Sequence, residues 1–75
     1  FLVYLTLANI TFISAQSRFR VAEKHYDKMR YANAVEAYED AFKYTAPTSE
    51  ALLELADSYY KIGDMKNAER VYRNY

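Results

Sequence analysis

Apolar and small residues recur at helical spacing along most of the chain. Over residues 18–28, Phe19, Val21, Ala22, His25 and Tyr26 predict one helical face. From Ala32 to Tyr44, the residues Ala34, Val35, Ala37, Tyr38, Ala41 and Phe42 predict a second, at i, i+3, i+4 and i+7. Pro47 is expected to stop that helix, because its ring keeps Ala46 out of the helical region. Thr48 or Ser49 can cap a third helix, with Leu52, Leu53, Leu55, Ala56, Tyr59 and Tyr60 on its apolar side. Gly63 ends that helix by supplying a left-handed residue. Asp64 caps a fourth, faced by Met65, Ala68, Val71, Tyr72 and Tyr75.

The four helices fall into two copies of one unit. Ala22 and Ala56, Tyr26 and Tyr60, Asn33 and Asn67, Ala34 and Ala68, and Tyr38 and Tyr72 are all separated by 34 positions. A fixed period between about 20 and 50 residues is the mark of a solenoid. The small residues suggest how each unit packs. Ala22 and Ala34 stand on successive helices, and Ala56 and Ala68 repeat the pair. Small side chains there let antiparallel helices approach at the short end of the usual ~8–10 Å interaxial range. Tyr38 and Tyr72 are then expected to fill the space between successive pairs.

Charge divides the chain. Residues 1–15, FLVYLTLANITFISA, carry none, and Arg18 is the first charged position. This run is short of the ~20 apolar residues of a membrane span and is weakened by Thr6, Asn9 and Thr11. It fits the apolar region of a secretory signal, with Ile13-Ser14-Ala15 as a small-residue cleavage site leaving Gln16 as the new N-terminus. The signal's basic leader and an initiator Met are not part of the sequence, which places Phe1 inside the signal on this reading. The competing reading is a short buried helix or strand.

The whole sequence has 75 residues, 10 basic and 10 acidic, and no Cys. Zero net charge gives no basic footprint for nucleic acid. The lack of Cys excludes disulfides, thiolate metal sites and a Cys nucleophile. A single Gly excludes a Gly-rich phosphate loop. His25 is the sole histidine, and its repeat equivalent is Tyr59, so a packing role is expected. Glu36, Glu39, Asp40 and Lys43 read as a solvated helix side, with Glu39 and Lys43 as an i, i+4 pair. Glu50, Glu54 and Asp57 share one side of the third helix and also read as solvated, since no His joins them as a metal ligand. The nine Tyr fall mostly at packing positions rather than along a basic stripe.

Leu52-x2-Leu55-Ala56-x2-Tyr59 followed by Ala68-x3-Tyr72 resembles the tetratricopeptide repeat (TPR) pattern W-x2-L-G-x2-Y…A-x3-F. The first copy departs from it. Arg18 stands at the large apolar position and His25 at the Tyr position, while Ala34-x3-Tyr38 and Ala41 fit. Pro47 comes one residue late. The resemblance covers residues 16–75 and implies an all-α fold: antiparallel helix-turn-helix pairs stacked as a TPR solenoid. It would hold about two repeats, near 16–48 and 49–75, the second truncated. More narrowly, a signal ending in Ala-Gln followed by "AEKHYDKMRYANAVEAYEDAF" resembles the start of certain envelope proteins. In these, TPR repeats precede a β-propeller and an OmpA-like peptidoglycan-binding domain, some linked to type IX secretion and gliding motility.

Stacked helix pairs form a concave surface. By the TPR resemblance, Phe19, Glu23, Tyr26 and Asp27, then Leu53, Asp57, Tyr60 and Lys61, would line it. That aromatic and acidic surface suits an extended or helical peptide with apolar anchors and some basic residues. The alternative for Tyr26 and Tyr60 is burial under a further repeat. The expected function is a noncatalytic scaffold of an exported cell-envelope protein, in the periplasm or at the outer membrane. It would hold a protein or peptide partner and need no cofactor, metal, nucleic acid or small-molecule substrate. Peptidoglycan association would run through domains outside this sequence. The alternative is a docking arm of an exported enzyme or regulator. Because such repeats usually need three or more neighbours, further repeats are expected after Tyr75.

Overall fold

A computed structural model describes residues 17–75. The stretch read as a signal, residues 1–15, and Gln16 lie outside them. The described residues contain helices, turns and no strand. The helices are α1 (residues 17–27), α2 (Tyr31–Phe42), α3 (Ser49–Lys61) and α4 (Met65–Asn74). The described residues are therefore all-helical, as expected.

The connection within each hairpin is repeated bond for bond. After α1, the N–H groups of Lys28, Met29 and Arg30 donate to the carbonyls of Lys24, Tyr26 and His25. After α3, the N–H groups of Ile62, Gly63 and Asp64 donate to Ser58, Tyr60 and Tyr59. Each partner lies 34 positions after its counterpart. Both turns pass through a residue of positive φ, Met29 at 61° and Gly63 at 83°. This backward bond across a left-handed residue is a Schellman-type stop, which satisfies carbonyls orphaned at the helix end. The next helix starts differently in the two copies. Asp64 accepts from the Asn67 backbone N–H at 3.2 Å, whereas Arg30 makes no side-chain cap.

Helix α2 ends at Phe42, well before Pro47. Its last turn tightens, with the Lys43 and Tyr44 N–H groups donating to Asp40 and Ala41. Pro47 is thus not what stops α2. It lies in the connection, which ends at Thr48, whose hydroxyl accepts from the Ala51 N–H at 3.1 Å and caps α3.

Ala22, Ala34, Tyr38, Ala51, Leu55, Ala56, Tyr59, Ala68 and Val71 form the core, with Phe19, Tyr26, Val35, Phe42 and Leu52 packed against it. All four repeat-paired alanines are buried, so the small residues do mark the helix contacts. Ser58 is buried too, its hydroxyl satisfied by the Glu54 carbonyl one turn back. Leu53, Tyr60, Met65, Tyr72 and Tyr75, expected on apolar faces, are exposed. The expected Glu39–Lys43 pair is also corrected. Lys43 pairs with Asp40 at 3.8 Å, and Glu39 reaches across to Arg70 of α4 at 3.6 Å. The long Arg side chain reaches from α4 to α2, which lets Glu39 pair across helices rather than along its own.

Candidate functional site

The residues with the most defined polar chemistry lie where α1 and α2 meet α3. Tyr38 is fully buried, and its hydroxyl donates to Glu54 Oε1 at 2.5 Å. The Tyr26 hydroxyl donates to Asp57 Oδ2 at 2.7 Å. A buried phenol needs an acceptor. Glu54 and Asp57 sit one turn apart on α3, so one helix face serves both tyrosines. Tyr31, at the start of α2, packs edge-on against Tyr26 with ring centroids 5.8 Å apart. Lys61 stands 5.1 Å over the Tyr31 ring and 3.9 Å from Asp57. These contacts join the first hairpin to α3 through aromatic rings, carboxylates and one ammonium group.

The electrostatics follow from burial and negative charge. Burial, then the bond to Glu54, pushes the Tyr38 phenol far above its ordinary value. For Tyr26 the bond to the Asp57 carboxylate is the main cause and burial the second. The Glu54 carboxyl is itself raised, chiefly by burial. The Tyr38 bond opposes that rise, while Glu23, Glu50 and Asp27 add to it. Carboxylates of α1 and α3 therefore share one field on this side of the molecule, and the solvated reading of Glu54 and Asp57 is corrected. Both are interhelix acceptors.

Of the eight residues expected to line a groove, five belong to this region: Glu23, Tyr26, Asp27, Asp57 and Lys61. Phe19 is half-buried, with its ring edge-on to Phe42 at 5.9 Å. Leu53 is exposed on α3. Tyr60 is exposed and lines a depression on the α3–α4 side with Met65, Ala68, Glu69, Tyr72 and Arg73. The sequence pattern does not place Tyr31 at the site, and it leaves Glu54 on a solvated side. The signal for Glu54 was present: Tyr38 is an aromatic at a core position and requires an acceptor, and Glu54 shares the face of Asp57.

Other chemistry is sparse. His25 lines an open depression with Val21, Glu36, Ala37 and Asp40, and its Nδ1 is buried with no partner among the described residues. No group of three or more His, Cys, Asp or Glu among the described residues could hold a metal ion. None of the described helices is long and apolar enough to cross a membrane. No protein-family model, curated protein or solved structure matches this chain.

Proposed function

We propose that this chain is a noncatalytic protein-interaction module of the TPR type, carried by an exported cell-envelope protein. It holds a peptide or partner protein along α1 and α3. The observation that supports this reading most is the Tyr26–Tyr31 ring pair bonded to Asp57, on the side where Glu23, Glu50 and Asp27 add negative charge around Glu54. Acidic charge next to aromatic edges favours a segment that alternates basic and apolar residues. The 34-residue repetition of turn bonds and buried alanines supports the stacked-hairpin part of the reading. The uncharged residues 1–15 support export.

The binding test uses isotope-labelled protein and short peptides that alternate Lys or Arg with Leu or Phe. Matched peptides carry Glu at the basic positions. The basic peptides should shift the amide signals of Glu23, Asp27, Leu53, Asp57 and Lys61, and added salt should weaken them. Equal response to the acidic peptides, or shifts confined to other faces, would reject the groove. For export, the mass of the secreted protein should correspond to a chain beginning at Gln16. Retention of residues 1–15 would reject the signal.

A further inference from the structure

The two hairpins share their turn bonds residue by residue, so their side chains can be compared position by position. Three aromatic side chains of the first hairpin meet α3. Tyr38 donates to Glu54, Tyr26 donates to Asp57, and Tyr31 lies beneath Lys61. Their equivalents 34 positions on are Tyr72, Tyr60 and Met65. Tyr38 is 0% exposed, yet Tyr72 is 44%, Tyr60 55% and Met65 52% exposed. These three surround Ala68, the counterpart of Ala34, in one open depression.

We infer that this α3–α4 face is a docking surface for an amphipathic helix of α3's own chemistry. Such a helix presents a stripe of small and aliphatic residues flanked by Glu-x-x-Asp. Its Glu would accept from the Tyr72 hydroxyl and its Asp from the Tyr60 hydroxyl, as Glu54 and Asp57 do for Tyr38 and Tyr26. The ground for this occupant is continuity with an interface the molecule already contains: both tyrosines recur on the second hairpin, covered in the first and open in the second, with Met65 in the place of Tyr31.

A second copy of the chain fits less well. Its α3 is already engaged, and the helix in the equivalent position is α1. There Arg18 replaces the half-buried Leu52, and Arg20 replaces the acceptor Glu54. Arg20 offers only donors to Tyr72, and Arg18 brings a charge to an apolar contact. Of the two acceptor positions only that of Asp57 is matched, by Glu23. This surface is distinct from the α1–α3 groove, so the failure of either proposal leaves the other standing.

The probe is a helix-stabilised peptide with the sequence of residues 49–61, titrated into the isotope-labelled full chain. Amide shifts should concentrate at Tyr60, Met65, Ala68 and Tyr72. A peptide carrying Glu54→Gln and Asp57→Asn should bind about ten-fold more weakly, as should the chain variant Tyr72→Phe toward the original peptide. Tyr72 is half exposed, so this variant should fold normally. A tethered version removes the dilution of a weak complex. Appending a copy of residues 42–61 after Tyr75 continues the 34-residue register and should raise Tm. Shifts centred on Tyr26, Tyr31 and Tyr38 would mean that the peptide displaces α3, and would overturn the proposal. So would shifts at Tyr60 and Tyr72 that follow chain concentration alone, which mark a second copy. Absence of shifts together with an unchanged Tm in the tethered chain would also overturn it.

Discussion

Met29 and Gly63 lie 34 residues apart and hold the same backbone role, with φ of 61° and 83°. Glycine takes this left-handed conformation without a Cβ penalty, whereas a long side chain is strained there. The first turn therefore holds strain that the second avoids. Met29→Gly should stabilise the protein by about 1 kcal/mol, measured by denaturant unfolding. Gly63→Ala should cost about 1 kcal/mol. A Cβ at Gly63 would meet nothing within 4 Å, so that loss would be purely conformational.

The caps show a similar inequality. Arg30 and Asp64 precede α2 and α4 with nearly equal backbone angles, φ −91° and ψ 70° against φ −90° and ψ 77°. Only Asp64 of the two accepts from the helix, through Asn67. Arg30→Asp should thus place a carboxylate within reach of the Asn33 N–H and raise Tm. Thr48→Ala removes the α3 cap and should cost about 1 kcal/mol. A Tm for Arg30→Asp at or below that of the wild type would show that α2 does not accept a cap in this geometry.

Repeat-equivalent tyrosines should respond unequally to loss of the hydroxyl. Tyr38→Phe strips Glu54 of its donor inside the contact and should cost about 1.5 kcal/mol. Tyr72→Phe, on the open face, should change stability by less than about 0.5 kcal/mol. Equal losses from the two variants would contradict the contact arrangement.

Three phenols, Tyr26, Tyr38 and Tyr59, are raised above the ordinary value of 10.0 in the folded protein. A raised phenol favours the protonated form in the folded state. Its stabilisation is complete below pH 10 and declines as the unfolded phenols ionise above it. Helical circular dichroism should fall above about pH 10, together with the appearance of tyrosinate absorbance from these residues. Ionisation of all nine tyrosines at about pH 10 with the helical signal intact would refute this.

Ala34 and Ala68 are buried where the paired helices meet. Ala34→Leu or Ala68→Leu should overpack that contact and cost about 1–3 kcal/mol, read as a lower melting midpoint. A midpoint unchanged in both variants would mean that the helices have room to spare.

The local devices were legible in the sequence. The Thr48 and Asp64 caps and the Gly63 stop each depend on residues a few positions apart, and the buried alanine pairs show in the repeat spacing. The left-handed Met29 was not legible: it stands 34 positions before Gly63, but its residue type gives no sign of positive φ. The contacts of Asp57 and Glu39 were not legible, and that of Glu54 only through the need of a buried Tyr38 for an acceptor. Each carboxylate lies on a helix side that reads as solvated until a tyrosine or arginine from another helix reaches it.

The sequence by itself thus determined the helices, the Thr48 and Asp64 caps, the left-handed stop at Gly63 and the 34-residue spacing. It could do so because hydrogen bonds within helices and turns span only a few residues. Tertiary structure alone decided why Tyr38 is buried and Tyr72 exposed, although both occupy one position of the repeat. Burial depends on whether another helix covers that position, and α3 covers the first hairpin while the α3–α4 face stays open.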